Sequence, residues 1–369
     1  MQIFQDEGTG KEREGGGGSG EAILRMAGAA AAGAAAAAAG KRARALVIGT
    51  HSGTFHADEA LGCFLLRRTR AFEGAEIVRS RDPAVLGPLD CVLDVGAEYD
   101  PERLRFDHHQ RGFAETFGHG FERVPLSSAG LVYKHFGREI IARQLELAPD
   151  AAELETLFLE LYRQFVQAVD ANDNGVARYE GAGQQQYEDH TSLGARVSAL
   201  NPAWNEPAGE AEQRKGFEAA MEMTGGEFLQ RLNYVHKTWL PGRQYVQQAI
   251  SGRHEVHPGG RVIRLPRYCP WKDHLYSLES EMGVEEPLLY CLFEDDREKK
   301  WRITCVSETP QSFVNRLSLP EAWRGLRGEE LSQVSGIPGC IFVHANGFIG
   351  GNDTFEGALA MVTKALEGA

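Results

Sequence analysis

Three things are scarce in this chain. No two cysteines stand in Cys-x-x-Cys spacing, and the six present (Cys63, Cys91, Cys269, Cys291, Cys305 and Cys340) are scattered through 369 residues. That pattern excludes a disulfide scaffold or a zinc ribbon and fits reduced thiols buried as small hydrophobes. No run is long and apolar enough for a membrane-spanning helix, since the Ala/Gly stretch from Ala27 to Gly40 is short and weakly apolar. Basic charge is short too: 39 lysines and arginines face 52 aspartates and glutamates, a net charge of −13. No global positive field draws in a polynucleotide, so such a substrate has to be held by a local basic patch or by bound cations.

What is present is the composition of a soluble globular protein, 42% hydrophobic and 25% charged, with a length that calls for two domains. Residues 1–44 read as a low-complexity, disordered tail. A start at Met26 would give this tail some transit-peptide character, because no acidic residue lies between Met26 and Ala57 while Lys41, Arg42 and Arg44 are basic. Residues 45–205 form the first expected domain, 206–240 a helical connector that contains Gly225-Gly226, and 241–369 a C-terminal domain. In the first domain, apolar runs at Ala45–Ile48, Glu76–Arg79 and Cys91–Val95 read as strands. They alternate with helical spacing over Ala57–Arg68, Ser127–Phe136 (capped by Ser127 or Ser128) and Leu154–Val169. That order predicts an α/β domain with a mainly parallel sheet, whose sites lie at the carboxyl ends of strands. In the C-terminal domain strands are expected at Tyr245–Ile250, Val262–Leu265, Leu288–Phe293 and Trp301–Val306, in a smaller α+β arrangement.

The densest chemistry follows the first strand: His51-Ser52-Gly53-Thr54-Phe55-His56-Ala57-Asp58-Glu59. A loop can curl two imidazoles and a carboxylate round one cation, whereas one such histidine alone reads as an ordinary polar loop residue. Asp94 ends the third apolar run, Asp107-His108-His109 follows a further loop, and Val169-Asp170-Ala171-Asn172-Asp173-Asn174-Gly175 closes a helix. By itself this last segment is a common Asx-rich helix stop. In this order within one α/β domain, the set reads as carboxylate and imidazole ligands suited to Mn²⁺, Mg²⁺ or Zn²⁺. Asp94 is placed to bridge two ions, at a separation of about 3.5–4 Å in two-metal phosphoryl transfer.

These motifs resemble the DHH phosphoesterase superfamily, and more closely the melanocyte proliferating gene family of RNA exonucleases. The resemblance is carried by Gly49–Ala60, Asp94–Pro101, Asp107–Arg111, Val169–Gly175 and Val334–Ala345, and spans the chain from about Val47 to its end. It implies a DHH-type catalytic domain and a two-metal 3′–5′ exonuclease acting on single-stranded RNA, with two divalent ions, Mn²⁺ or Mg²⁺, in nucleus and mitochondrion. Carried over by position, His51, His56 and Asp94 would hold one ion, and Asp58, Asp94, His108 and Asp170 the other. His109 would contact the scissile phosphate and Asp107 would orient His108. The superfamily's first loop usually reads His-x-x-x-Asp-x-Asp, whereas here four residues separate His51 from His56-Ala57-Asp58. A histidine thus stands where a carboxylate is usual, which weakens the claim of His51 as a ligand.

The C-terminal segment with His344, Gly350 and Gly351 resembles the Gly-rich substrate-binding part of the DHH-associated domain, where glycines let backbone amides approach a phosphate. Lys272 and His274 beside Trp271, and Arg302 beside Trp301, pair cations with aromatics that can stack a base, or else pack at a strand edge. Arg196 is placed on a helix either to reach a cleft or to make a surface ion pair. Two rival functions stay open: a small-molecule phosphoesterase acting on pyrophosphate, an oligonucleotide or a cyclic dinucleotide, which the negative charge favours, and a metal-stabilised binding protein without turnover.

Overall fold

A computed structural model describes residues 44–179, 188–205, 209–310 and 312–368. The expected tail, apart from Arg44, lies outside the described residues, as does the first part of the expected connector. The chain divides into two compact units between Arg231 and Leu232.

The first unit is built on a sheet of order β2-β1-β3-β5-β4, from β1 (Val47–Thr50), β2 (Glu76–Arg79), β3 (Cys91–Leu93), β4 (Tyr99–Asp100) and β5 (Arg105–Phe106). Pairs β1/β2, β1/β3 and β3/β5 are parallel, and β4 adds an antiparallel edge. The carboxyl ends of β2, β1, β3 and β5 therefore open on one side, in that spatial order. A separate hairpin joins β6 (Thr116–Gly118) and β7 (Phe121–Pro125).

Helix α1 (Ala57–Leu66) is buried at every position, which its run of small and apolar residues allows. It packs against α3 (Ser128–Leu145); the short α2 (Pro83–Leu86) lies between them in sequence. Each fully buried Leu or Phe of this interface contributes about 1.5–3 kcal/mol. The helix expected from Leu154 to Val169 exists but changes gauge. An α-helix, α4 (Leu154–Leu161), widens into a π turn at Tyr162–Val166 and resumes as α5 (Gln167–Asp173). A short α6 (Leu193–Ser198) follows, then the long α7 (Glu210–Tyr234). Gly225 is required inside α7, because a Cβ there would stand 2.3 Å from the Phe64 ring. Of the expected glycine pair, Gly225 is thus a close-packing point inside a continuous helix, while Gly226 faces open space.

In the second unit a sheet of order β11-β12-β10-β9-β8 is formed by β8 (Val262–Arg264), β9 (Tyr290–Glu294), β10 (Trp301–Cys305), β11 (Cys340–Val343) and β12 (Ile349–Asn352). Only β8/β9 is parallel. Period-two alternation divides β9 between two cores: Tyr290 and Leu292 face one with Met361 and Val362, Cys291 and Phe293 the other with Val246 and Leu275. The covering helices are α8 (Leu240–Ser251), α10 (Lys272–Glu281), α11 (Gly328–Ser335) and α12 (Phe355–Glu367), with a short α9 (Arg253–Val256). Tyr245–Ile250, expected as a strand, is part of α8. Its buried Val246, Ala249 and Ile250 recur at helical spacing, and tertiary burial outweighs the local β-propensity. All six cysteines are buried and unpaired. Among the described residues no helix is long and apolar enough to cross a membrane.

Candidate metal centre

Each parallel strand of the first unit hands at least one polar group to the same cleft, a cavity of about 910 Å³. Arg81 follows β2, His51 follows β1, Asp94 follows β3, and Asp107–His109 follow β5. The far wall is Asn172, Asp173 and Asn174 from the end of α5, with Gly194 and Ser198 of α6.

The loop after β1 is fixed on both flanks. Arg79 donates to the carbonyls of His51 (3.1 Å) and Gly53 (2.7 Å). Asn201 grips Phe55 through both backbone groups, accepting from its N–H and donating to its carbonyl, each at 2.9 Å. Phe55 is fully buried. The His56 amide then donates to the Glu59 carboxylate at the start of α1, leaving Glu59 with no exposure. His51 Nε2 lies 3.0 Å from Glu59 Oε1 and 3.2 Å from Asp94 Oδ2. Burial pulls the His51 imidazole down, but Asp94 and Glu59 outweigh it and raise it to about 9.

Asp94 takes φ +57°, a left-handed conformation that aspartate tolerates better than most residues. Ser128 Oγ at the start of α3 donates to its Oδ1 at 2.9 Å. Burial works against its charge, yet His108, His51 and Ser128 hold its carboxyl well below the usual range. His108 Nε2 sits 3.1 Å from Asp173 Oδ2 and 3.4 Å from Asp94 Oδ1, within ion-pair reach but aligned for a hydrogen bond with neither. Burial lowers its basicity and the two carboxylates more than reverse that, to about 10.

Asp58 is 1% exposed, and neither carboxylate oxygen accepts a hydrogen bond. Its neighbours are further carboxylates. Burial, then Asp94, Glu59 and Asp173, push its pKa well above normal. Only a proton or a cation relieves such a group. The donors fit a cation: three overlapping sets have ligand atoms within 4.8 Å of one another, namely His51/His56/Glu59/Asp94, Asp94/His108/His109 and His56/Asp58/Asp173. The donors are all imidazole or carboxylate, a set for hard or borderline divalent metals.

Of the six ligands expected from sequence, His51, His56, Asp58, Asp94 and His108 meet here, and Asp170 does not. Its carboxylate is fully buried and accepts from Ser127 N (3.0 Å), Ser127 Oγ (2.7 Å) and Tyr162 O–H (2.9 Å). It thereby caps α3 from another helix, and Gly130 must be glycine because a Cβ would stand 2.3 Å from Asp170 Oδ1. Asp173, one turn later, carries the carboxylate that reaches the cluster. Asp107 also differs from expectation: its Oδ1 accepts from His109, at 3.1 Å from N and 2.8 Å from Nδ1, and its Oδ2 from Ala97 N at 2.5 Å. It orients His109, whose ring is 61% exposed toward the cleft, rather than His108.

Arg196 does not line the cleft; it pairs with Glu227 at 2.6 Å and donates to Thr191 O. The remaining expected residues lie in the second unit. Lys272 lies over the Trp271 ring, and His274 is buried against Trp239. Arg302 pairs with Glu298, and His344 accepts from Asn346 N in a turn. Gly350 and Gly351 sit in β12 between two partner strands, so their amides face the sheet rather than an open phosphate cradle. Glu59, Arg81, Asn172 and Asp173 were not singled out in the sequence. The strand-end rule that marks His51 and Asp94 also marks Arg81.

A family model described as MYG1_exonuc, Uncharacterised protein family (UPF0160), matches residues 47–366. A MYG1 protein of Dictyostelium discoideum is 49% identical over 321 residues, 87% of this chain and 96% of that protein. A protein of Homo sapiens named MYG1 exonuclease is 49% identical over 324 residues, 86% of this chain and 85% of its own length. The MYG1 protein C694.04c of Schizosaccharomyces pombe is 46% identical over 322 residues, 87% and 97%. A crystal structure of the exonuclease RecJ bound to manganese pairs with 92% of this chain and 94% of its own at 14% identity and a TM-score of 0.24.

Proposed function

The chain belongs to the MYG1 exonuclease family (UPF0160), and we propose that it is a divalent-metal-dependent exonuclease that removes nucleotides from the 3′ end of single-stranded RNA. The observation that carries the reading is the buried Asp58 carboxylate, without a single hydrogen-bond donor, among Glu59, Asp94 and Asp173. Beyond a proton, a cation is what completes such a group, and the imidazoles and carboxylates around it are cation ligands. Two ions, Mn²⁺ or Mg²⁺, would be held by His51, His56, Glu59 and Asp94 on one side and by Asp58, Asp94, His108 and Asp173 on the other. When bound, such ions supply Lewis-acid activation of the phosphoryl group and of the attacking water.

The chain's own groups do the rest. Ser128 and the left-handed Asp94 backbone aim the shared carboxylate. Asp107 fixes the His109 ring so that its exposed face meets a phosphoryl oxygen. Asn172 offers an amide on the opposite wall for a ribose or base edge. The family resemblance extends the proposal to nucleus and mitochondrion, which fluorescent fusions begun at Met1 and at Met26 would test.

The test is hydrolysis of a 5′-labelled single-stranded RNA of about twenty nucleotides, longer than one typical binding footprint, with Mn²⁺, Mg²⁺ or EDTA. A ladder shortening from the 3′ end and lost with EDTA supports the reading. Intact RNA together with turnover of pyrophosphate or a dinucleotide selects the small-phosphoester reading, which the net charge of −13 favours. Metal uptake without hydrolysis of any phosphoester selects a binding role.

A further inference from the structure

We propose that Arg81 is the residue that grips the substrate's phosphate group in this cleft. The inference rests on the phosphoesterase reading above and assigns it a side chain. Arg81 stands at the carboxyl end of β2, next in spatial order to His51, Asp94 and His108, and it is the one lysine or arginine among the described residues that line the cavity. A phosphodiester entering among carboxylates needs a positive group beyond the ions to orient it, and no other lysine or arginine of the described lining supplies one.

The guanidinium is tethered but not used up. Nε donates to Ser52 O at 3.0 Å and Nη2 lies 3.1 Å from His51 Nδ1. A guanidinium has five N–H donors in a planar fork. These two contacts leave both N–H groups of Nη1 and one of Nη2, the pair of nitrogens that matches two phosphate oxygens. Arg79, the last residue of β2, is spent on holding the loop: it donates to His51 O and Gly53 O and lies over the Phe55 and Phe217 rings, and it does not line the cavity. The strand end thus supplies two arginines of different duty, Arg79 committed to the loop and Arg81 with free donors in the cavity.

The test uses the full chain loaded with Mn²⁺. Adenosine 5′-monophosphate and inorganic phosphate are titrated calorimetrically into the parent, Arg81→Gln and Arg81→Lys, with bound manganese per chain measured on the same samples and RNA hydrolysis run in parallel. The proposal expects unchanged manganese content. It expects binding of both probes to weaken roughly 10- to 100-fold in Arg81→Gln, the loss of a charge-assisted bond, and less in Arg81→Lys, which keeps the charge and loses the fork. Equal affinity in parent and Arg81→Gln overturns it. So does loss of manganese in both variants, which makes Arg81 a support for His51, and so does a loaded parent that binds neither probe. A parent that binds the probes through Arg81 yet leaves RNA intact rejects the exonuclease reading alone.

Discussion

Asp58 and Asp170 are both buried carboxylates in the same unit, yet their surroundings are opposite. Asp170 is met by a backbone N–H and two hydroxyls, which offset part of the cost of its burial inside the protein. Asp58 is met by no donor and by three other carboxylates. The first arrangement is self-sufficient and belongs to architecture, whereas the second is incomplete until a cation arrives. Within one turn of one helix, Asp173 stands with Asp58 among the candidate ligands while Asp170 ties α5 to the start of α3, where Ser128 holds Asp94.

The widest test of this contrast is Asp94→Ala, which removes the carboxylate shared by two of the ligand sets. It should lower RNA hydrolysis roughly a thousand-fold or more, the loss of several kcal/mol of transition-state stabilisation, measured as initial rate at saturating Mn²⁺. Next, Asp170→Ala should cost about 3 kcal/mol or more in chemical denaturation, because buried donors lose their acceptor. The same carboxyl carries a pH signature. Burial, against the hydrogen bonds from Ser127 and Tyr162, raises it to about 7, while an unfolded aspartate titrates near about 4. Its contribution is full below the unfolded value and is lost as pH rises through the folded one. The stability gap between the parent and Asp170→Asn should therefore narrow from pH 5 to pH 8; a constant gap would break the assignment.

Asp58→Asn should act in the opposite sense. Without metal the variant should be more stable than the parent by about 1–3 kcal/mol, since a buried carboxyl with no donor is replaced by an amide that can donate to its carboxylate neighbours. It should also lose most of the stabilisation that the parent gains from Mn²⁺, about 2.7 kcal/mol at a hundredfold excess over Kd. A destabilised Asp58→Asn would place Asp58 with Asp170. The smallest expected effect is that of Asn201→Ala, which frees the loop between His51 and His56 at Phe55. Outer support of this kind is worth about tenfold in metal affinity, read by calorimetry.

Much of the site was legible in sequence because its ligands are local to strand ends. His51 and Asp94 follow apolar runs, and such runs announce where a parallel sheet opens. Asp170 is the aspartate that the family resemblance carries over by position, whereas in the structure it is Asp173, one turn later, whose carboxylate lies with His56 and Asp58. The π turn at Tyr162–Val166 shifts the phase of everything after it, and a count at 3.6 residues per turn cannot register that shift. Tyr162 illustrates the consequence: its ring stacks on Phe117 at 3.6 Å and its hydroxyl reaches eight residues along the chain to Asp170. Arg81 was passed over because a lone arginine carries no motif, and its meaning comes from strand order. In the second unit Tyr245–Ile250 alternates weakly enough to read as a strand, and only burial of Val246, Ala249 and Ile250 makes it a helix.

In the proposed centre Asp173, not Asp170, stands with Asp58. The most direct measurement is manganese titration by calorimetry on the metal-free proteins Asp173→Asn and Asp170→Asn, with thermal unfolding of the same samples. The account predicts that Asp173→Asn binds manganese roughly 10- to 100-fold more weakly with its metal-free stability undiminished, while Asp170→Asn unfolds earlier and, where still folded, keeps close to parental affinity. Loss of manganese binding in a stable Asp170→Asn, with Asp173→Asn unaffected, would contradict it.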